Sequence, residues 1–178
     1  GRDIKLLTTP DERAELAFAV DVDLVITHPF DASVSGMSAH EFMARLKEHL
    51  GLSRLLIGYD FALVRNREGN AGRLRELGRE MGYSLQVIEA VSDESGVISS
   101  TEIRKLISLG SVEAAASLLG RPYSLSGPVV HGDGRGKRIN IPTANLRVSA
   151  SKLLPANGIY ACRARIGPDW FAAATNIG

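Results

Sequence analysis

The chain has 178 residues, of which 44% are hydrophobic and 23% charged, with Cys162 as the only cysteine. This globular composition excludes fibrous and disordered classes, a disulfide framework and a cysteine-based zinc site, and no apolar run approaches the roughly 20 residues of a spanning helix. The net charge of +1 hides an asymmetry: residues 1–120 carry 13 basic and 18 acidic side chains, whereas residues 121–178 carry 8 and 2, which indicates two units and an anionic ligand for the second.

Helices and strands alternate in the predicted pattern of the first 120 residues. The stretch TPDE from Thr9 has the residue types of a helix start and predicts a helix to about Val20. Ser38 with Glu41 repeats the pattern before a second helix that Gly51 ends. The other predicted elements are strands at Asp23–Thr27, Arg54–Gly58 and Leu85–Val91, and helices at Ala71–Met81, from Ser99 or Ser100 to Leu109, and at Ser111–Leu119. This alternation predicts an α/β fold with a parallel sheet.

The pattern changes after Gly120. The segments Tyr123–His131, Gly158–Ile166 and Trp170–Asn176 are strand-like and are separated by turns rich in glycine or proline. They predict an antiparallel barrel or sandwich. We therefore expect one domain over residues 1–120 and a second over residues 121–178.

A first candidate site lies at Ser99, Ser100, Thr101 and Arg104, where a loop leads into a helix. Free backbone N–H groups, hydroxyl groups and an arginine one turn into the helix suit an anion such as a nucleotide phosphate. The same residues are also compatible with an ordinary capping box, made by Ser99 with Glu102, beside a solvated arginine.

A second candidate is Asp60, in the segment GYDF at the carboxyl end of a predicted strand. Ligands bind at such strand ends in open parallel sheets, so Asp60 could hold a ribose hydroxyl or a metal-bound phosphate. An aspartate in this position is also a common turn residue. From the pattern alone, both interpretations stay open.

The third candidate is the glycine-rich basic segment HGDGRGKR from His131, followed by IPTAN from Ile141. Alternating glycines let a backbone approach a polyphosphate closely, and Thr143 and Asn145 offer neutral oxygens suited to Mg²⁺ or phosphate. The spacing is not that of a Walker motif and no helix follows, which indicates a phosphate cradle between two strands. A flexible basic hairpin loop, or a loop that contacts RNA, would have the same composition.

Several motifs together resemble one family. ISSTEIR, LLGRPYSLSG, VVHGDGRG and PTANL occur in this order, and LLTTPDERAEL, PF, SAHEF and GYDF precede them. Over essentially the whole chain the sequence is similar to the prokaryotic bifunctional riboflavin kinase/FMN adenylyltransferases, also called FAD synthetases. The resemblance implies a Rossmann-like nucleotidyltransferase module that adenylylates FMN, followed by a riboflavin-kinase β-barrel.

The resemblance also implies roles for the candidate residues. In the adenylyltransferase, nucleotide binding would fall to Asp60, Ser99, Ser100, Thr101 and Arg104. In the kinase, nucleotide binding would fall to Gly132, Gly134, Gly136 and Lys137, with Thr143 and Asn145 holding Mg²⁺. ATP, Mg²⁺ and a flavin are the implied ligands, and both reactions require mainly aligned phosphates and neutralised charge.

Two family features are not among these residues: a His-x-Gly-His motif before the first matched motif, and a catalytic glutamate with further barrel strands after the last. We therefore expect the chain to be the central part of such an enzyme, with neither activity complete and no certain catalytic residue of its own. We expect a cytoplasmic protein with no nucleic-acid or membrane partner, and weak homo-oligomerisation is left open. The alternative function is a non-enzymatic nucleotide- or RNA-binding module that uses the basic loop.

Overall fold

The computed structural model describes residues 4–63, 68–94, 96–132 and 143–178. Its helices are α1 (Pro10–Phe18), α2 (Ala32–Ser35), α3 (Ala39–Leu50), α4 (Ala71–Met81), α5 (Ser100–Ser108) and α6 (Val112–Leu119). Its strands are β1 (Arg54–Gly58), β2 (Ser84–Ile88), β3 (Ser92–Asp93), β4 (Gly96–Val97), β5 (Val129–Val130), β6 (Asn145–Leu146), β7 (Gly158–Ile166) and β8 (Asp169–Ile177).

The described residues divide into two compact units. One unit is formed by Ile26–Val97, and the other by the residues up to Val25 together with those from Ile98 onwards. The second unit therefore joins the two ends of the described chain. The domain boundary predicted after Gly120 does not coincide with a limit of either compact unit, and it stays a prediction.

The unit Ile26–Val97 is built on a parallel pair of strands. β1 and β2 pair in parallel, with Ile57 opposite Val87, and α4 connects them, as the alternating pattern predicts. Their apolar faces pack with α3 and α4 around a core in which Met43, Leu74 and Leu77 are fully buried. This part of the fold is the predicted α/β arrangement.

Two glycines end the helices of this unit where the sequence predicts. Gly51 follows α3 and Gly82 follows α4, both with left-handed backbone at φ values of 62° and 72°, which a residue with a Cβ adopts only at a cost. The Lys47 ammonium donates to the carbonyl of Leu52 at 3.0 Å and to that of Gly82 at 3.2 Å. The glycines end the helices locally, and Lys47 joins the two helix ends across 35 positions of sequence.

One predicted strand is absent and another is shorter than predicted. Within the described chain Asp23–Thr27 is not a strand, and Leu24 and Ile26 are 68% and 57% exposed. A strand requires a ladder partner, and in the described residues β1 and β2 pair only with each other. The predicted strand Leu85–Val91 stops at Ile88 because Ile88 pairs with Gly58, the last residue of β1.

The other unit contains a second apolar core. Ile103 and Ile107 of α5 and Ala115 of α6 are buried, and Leu7, Tyr123 and Leu153 pack against them. Residues from both ends of the described chain thus cover the α5–α6 pair. The helix ranges agree with the predicted ones to within a residue or two.

The antiparallel strands of this unit form two separate pairs. β7 pairs with β8 along nine residues each, and β5 pairs with β6 along two. The predicted strand Tyr123–His131 is thus reduced to β5, and of the residues before it Tyr123 and Ser126 make side-chain hydrogen bonds to Leu153 and Glu12. β7 has the predicted bounds, and β8 is one residue longer at each end than the predicted Trp170–Asn176.

Candidate functional site

The predicted anion site lies at the first turn of α5. Ser99 is the N-cap residue, with extended backbone, and its hydroxyl accepts from the Glu102 N–H at 3.2 Å. Ser100 and Thr101 are exposed in the first turn, next to this cap. One of the two bonds of the capping box in the alternative interpretation is therefore present, and two further hydroxyl-bearing residues are accessible at the positive end of the helix dipole.

Arg104 lies on the same helix, and its side chain is held by a residue that is distant in sequence. Its Nε donates to the carbonyl of Lys5 at 3.0 Å, and the side chain is half-buried. This bond fixes the Arg104 side chain to the segment before α1, and the start of α5 lies one turn away from Arg104. The sequence did not indicate that contact, because Lys5 lies 99 positions earlier in the chain.

Asp60 lies where the sequence predicts, in the turn after β1. The residue is exposed, and the neighbouring Tyr59 and Phe61 are 56% and 39% exposed. Asp60 belongs to the unit Ile26–Val97, whereas Ser99, Ser100, Thr101 and Arg104 belong to the other unit. The strand-end position suits a ligand, as expected for a parallel pair.

The structure brings Gly132 and Asn145 of the third candidate together. Asn145 begins β6 and pairs with Val130 of β5, so Gly132 lies two residues beyond the ladder. A Cβ atom on Gly132 would overlap the side-chain amide of Asn145, so only glycine allows this approach. Gly134, Gly136 and Lys137, the other predicted nucleotide ligands, lie outside the described residues.

Thr143 and Asn145 can supply neutral oxygen atoms to a cation. Both residues are exposed, and Asn145 is in extended backbone two positions after Thr143. Among the described residues, no three His, Cys, Asp or Glu side chains gather into a metal-binding group. An amide and a hydroxyl suit a hard ion such as Mg²⁺, which retains waters and takes further oxygens from nucleotide phosphates.

The other end of the β5–β6 ladder is held by main-chain contacts. The Arg147 N–H donates to the carbonyl of Pro128 at 2.9 Å. A Cβ on Gly127 would overlap the carbonyl of Arg147, so a glycine is required there as well. The two arms of this hairpin are therefore in close contact from Gly127 to Gly132.

A buried ion pair lies beyond this end of the hairpin, and the sequence analysis did not predict it. The Lys152 ammonium lies 2.6 Å from Oε2 of Glu12 and donates to the carbonyl of Leu7 at 2.7 Å. The ring of Tyr123 lies 4.6 Å from the same ammonium. Both charged side chains are removed from solvent, with exposed fractions of 1% for Lys152 and 10% for Glu12.

Each oxygen of the Glu12 carboxylate has a partner. Oε2 also accepts from the Thr9 N–H at 2.9 Å, and Oε1 accepts from the Ser126 hydroxyl at 3.0 Å. Burial raises the pKa of Glu12, but the hydrogen bonds from Lys152, Thr9 and Ser126 and the lysine charge outweigh it and hold the pKa below its usual value. The carboxylate is thus kept ionised inside the unit.

Only one part of this network has a signal in the sequence. The capping box of Thr9 and Glu12 is readable from the spacing and is present in α1. The contact with Lys152 is not readable, because that lysine lies 140 positions away in a short polar turn. A buried lysine gives no periodic pattern that would distinguish it from an exposed one.

In the described part of the chain, no helix is both long enough and apolar enough to cross a membrane.

Two protein families match different parts of the chain. A profile described as FAD synthetase matches residues 2–102, and one described as riboflavin kinase matches residues 119–178. The first match contains the candidate residues Asp60, Ser99, Ser100 and Thr101. Arg104 lies two residues beyond the end of that match. The second contains Gly132, Thr143, Asn145 and Lys152.

Curated relatives are similar along nearly the whole chain. The bifunctional riboflavin kinase/FMN adenylyltransferase of Listeria monocytogenes is 31% identical over 99% of this chain and 56% of its own length. That of Escherichia coli K12 is 32% identical over 97% and 55%, and that of Buchnera aphidicola from Schizaphis graminum is 35% identical over 89% and 51%. The chain therefore spans about half the length of these relatives.

A solved structure has a similar fold. It is described as a macrolide-efflux protein from Streptococcus pneumoniae, with a TM-score of 0.83 and 30% sequence identity. The match covers 97% of this chain and 55% of that one.

Proposed function

The chain belongs to the FAD synthetase family, and we propose that it contributes to two reactions, phosphorylation of riboflavin to FMN and adenylylation of FMN to FAD. The observation that carries the proposal is the approach of Gly132 to Asn145, within the segment that matches riboflavin kinases. The candidate residues at the start of α5, in or next to the other match, provide the second anion site. ATP, Mg²⁺ and a flavin are the proposed ligands.

In the kinase reaction, the terminal phosphoryl group of ATP is transferred to a hydroxyl of riboflavin, and ADP leaves. The O–P bond to ADP breaks as the bond to the flavin oxygen forms and the hydroxyl proton is released, so the protein mainly has to align the phosphates and balance their charge. Gly132, whose missing Cβ leaves room for the Asn145 side chain, is proposed to contact the phosphates through its main chain, while Thr143 and Asn145 would hold Mg²⁺. When bound, Mg²⁺ would neutralise phosphate charge.

In the adenylyltransferase reaction, a phosphate oxygen of FMN attacks the α-phosphorus of ATP, and pyrophosphate leaves. Ser100 and Thr101, exposed at the start of α5, can donate to phosphate oxygens together with the helix N–H groups. The fixed guanidinium of Arg104 adds positive charge one turn away. Asp60, in the turn after β1, is proposed to contact the nucleotide.

The boundary between the two activities is proposed to follow Gly120. It agrees with the charge asymmetry and with the start of the riboflavin-kinase match at residue 119. We also propose that the protein is cytoplasmic and that its ligands are small molecules, with no nucleic-acid or membrane partner. The RNA-binding alternative is not retained, since both matched families are named for flavin chemistry.

The kinase assignment is tested by Asn145→Ala in the full-length protein, with separate assays of FMN and FAD formation. Loss of most riboflavin phosphorylation with FMN adenylylation nearly intact is the expected result. Asn176→Ala is the matched control, because Asn176 is an exposed asparagine on β8 and is not a candidate ligand. Equal loss of both activities in Asn145→Ala would contradict the assignment.

A further inference from the structure

We propose that Glu12 is a positioning residue for Gly132 and Asn145, acting through the base of the β5–β6 hairpin. Glu12 lies in the segment that matches FAD synthetases, and the hairpin lies in the segment that matches riboflavin kinases. One carboxylate would thereby align part of the kinase site from the other segment. The assignment to the kinase reaction rests on the proposed function, whereas the contacts themselves do not.

The first arm of the hairpin is held by Oε1 of Glu12. The Ser126 hydroxyl donates to this oxygen at 3.0 Å. Ser126 precedes Gly127, whose lack of a side chain allows contact with the carbonyl of Arg147 on the other arm. β5 begins at Val129, so only two residues separate the anchored serine from the ladder.

The second arm is held by Oε2. Lys152 lies 2.6 Å from this oxygen, and a second bond to the carbonyl of Leu7 fixes its ammonium. Lys152 follows the end of β6 at Leu146 by six residues. The two oxygens of one carboxylate therefore each hold one arm, at the end of the ladder opposite to Gly132.

An ionised carboxylate is the group that fits this position. It accepts on both oxygens, and the neighbours in the network are all donors: Thr9 N–H, Ser126 O–H and the Lys152 ammonium. A glutamine keeps one accepting oxygen for Lys152 and Thr9, but it removes the negative charge that faces the ammonium, and its nitrogen can pair with Ser126 only if the hydroxyl turns to accept. Glu12→Gln therefore perturbs the alignment with almost no change in side-chain volume.

Gly132 and Asn145 would shift relative to each other without the contacts of Glu12. These residues are separated from the anchors by a ladder of two residue pairs, which is too short to maintain alignment alone. Displacement of either residue would weaken contacts that are made equally to bound Mg-ATP and to the transition state, which lowers affinity rather than turnover. Mg-ATP binding in the kinase reaction is therefore the property we expect to depend on Glu12.

Amide hydrogen exchange on Glu12→Gln tests the contacts without any assay of activity. We expect exchange of the amides in residues 126–132 and 143–152 to accelerate about tenfold, with β7, β8 and the unit Ile26–Val97 unchanged. Glu15→Gln is the matched control, since Glu15 is an exposed glutamate on the same helix. No acceleration in the two arms, or acceleration spread over both units, would overturn the inference.

Steady-state kinetics of the full-length protein test the role in the reaction. For Glu12→Gln we expect a KM for Mg-ATP in FMN formation raised about tenfold, with kcat nearly retained and FAD formation unchanged. A loss of kcat in both reactions would indicate general damage to the fold and would overturn the positioning role. If the wild-type protein forms no FMN but the arms still respond in exchange, the kinase function fails while the alignment of the hairpin by Glu12 stands.

A milder variant covers the case in which Glu12→Gln does not fold. Ser126→Ala removes the bond to Oε1 and leaves the ion pair, at an exposed residue. We expect faster exchange in residues 126–132 than in 143–152, together with a smaller rise in KM for Mg-ATP. Equal exchange in wild type and Ser126→Ala would contradict an anchoring role for the carboxylate.

Discussion

Arg104 and Lys152 donate to the same short stretch of main chain. Arg104 bonds the carbonyl of Lys5 at 3.0 Å, and Lys152 bonds the carbonyl of Leu7, two residues later, at 2.7 Å. Leu6 between them makes main-chain bonds to both sides of Lys152, with Ser151 and Leu153. The segment Lys5–Leu7 thus connects a candidate ligand of the adenylyltransferase with the residue that anchors the candidate kinase hairpin.

Arg104→Ala should weaken the binding of ATP or ADP by about 1.5–3 kcal/mol, the range of a hydrogen bond to a charged group. Titration calorimetry with Mg-ATP measures this change. Lys105→Ala is the control, because Lys105 is the next residue and its side chain is 67% exposed. Unchanged affinity in Arg104→Ala would remove the arginine from the site and leave only its bond to Lys5.

Gly132→Ala should impair Mg-ATP binding in the kinase site more than it impairs folding. The added Cβ must displace the side chain of Asn145, and since both residues are exposed the amide can move into solvent at little cost in stability. We expect about a tenfold loss of affinity, equivalent to about 1.4 kcal/mol, with the melting temperature nearly unchanged. Equal affinities would show that Asn145 does not contact the bound nucleotide complex.

Lys152→Met should lower the free energy of unfolding of its unit by about 3–5 kcal/mol, because it leaves the Glu12 carboxylate buried without its cation. Denaturant unfolding measures the loss. The double variant Glu12→Gln/Lys152→Met removes both charges, and we expect it to be more stable than Lys152→Met alone. Additive losses in this double-mutant cycle would mean that the two side chains do not interact.

The stability contributed by Glu12 should depend on pH in the acid range. Its pKa is lower in the folded protein than the usual value of about 4.3, so the contribution is complete above that value and is lost as the pH falls through the folded-state pKa. We expect the stability difference between wild type and Glu12→Gln to shrink on acidification from pH 7 to about pH 3. Denaturant titrations at each pH test this, and a difference independent of pH would contradict it.

Local chemistry made most helices predictable. The capping boxes of Thr9 with Glu12 and of Ser38 with Glu41 are present, and Gly51 and Gly82 end the helices they were predicted to end. Each of these signals acts within about one helical turn, so it is readable from adjacent residues alone. The candidate residues at the start of α5 were found for the same reason.

Contacts between distant residues were not predictable in this way. The apolar segment Asp23–Thr27 has the composition of a strand, but its ladder partner is not specified by its own residues. Within Tyr123–His131 only β5 is a strand, because a strand extends only as far as the facing strand, here β6, pairs with it. The partners of Glu12 and Arg104 lie 140 and 99 positions away, and no local pattern indicates either pairing.

The separation between Glu12 and Lys152 also bears on the order of folding during synthesis. The unit Ile26–Val97 is a continuous stretch and can fold once its last residue has left the ribosome. The segment around Glu12 has to wait until Lys152, 140 positions later, has been made. Closing so long a loop is entropically slow, so the unit that contains the earliest residues of the described chain is expected to be completed last.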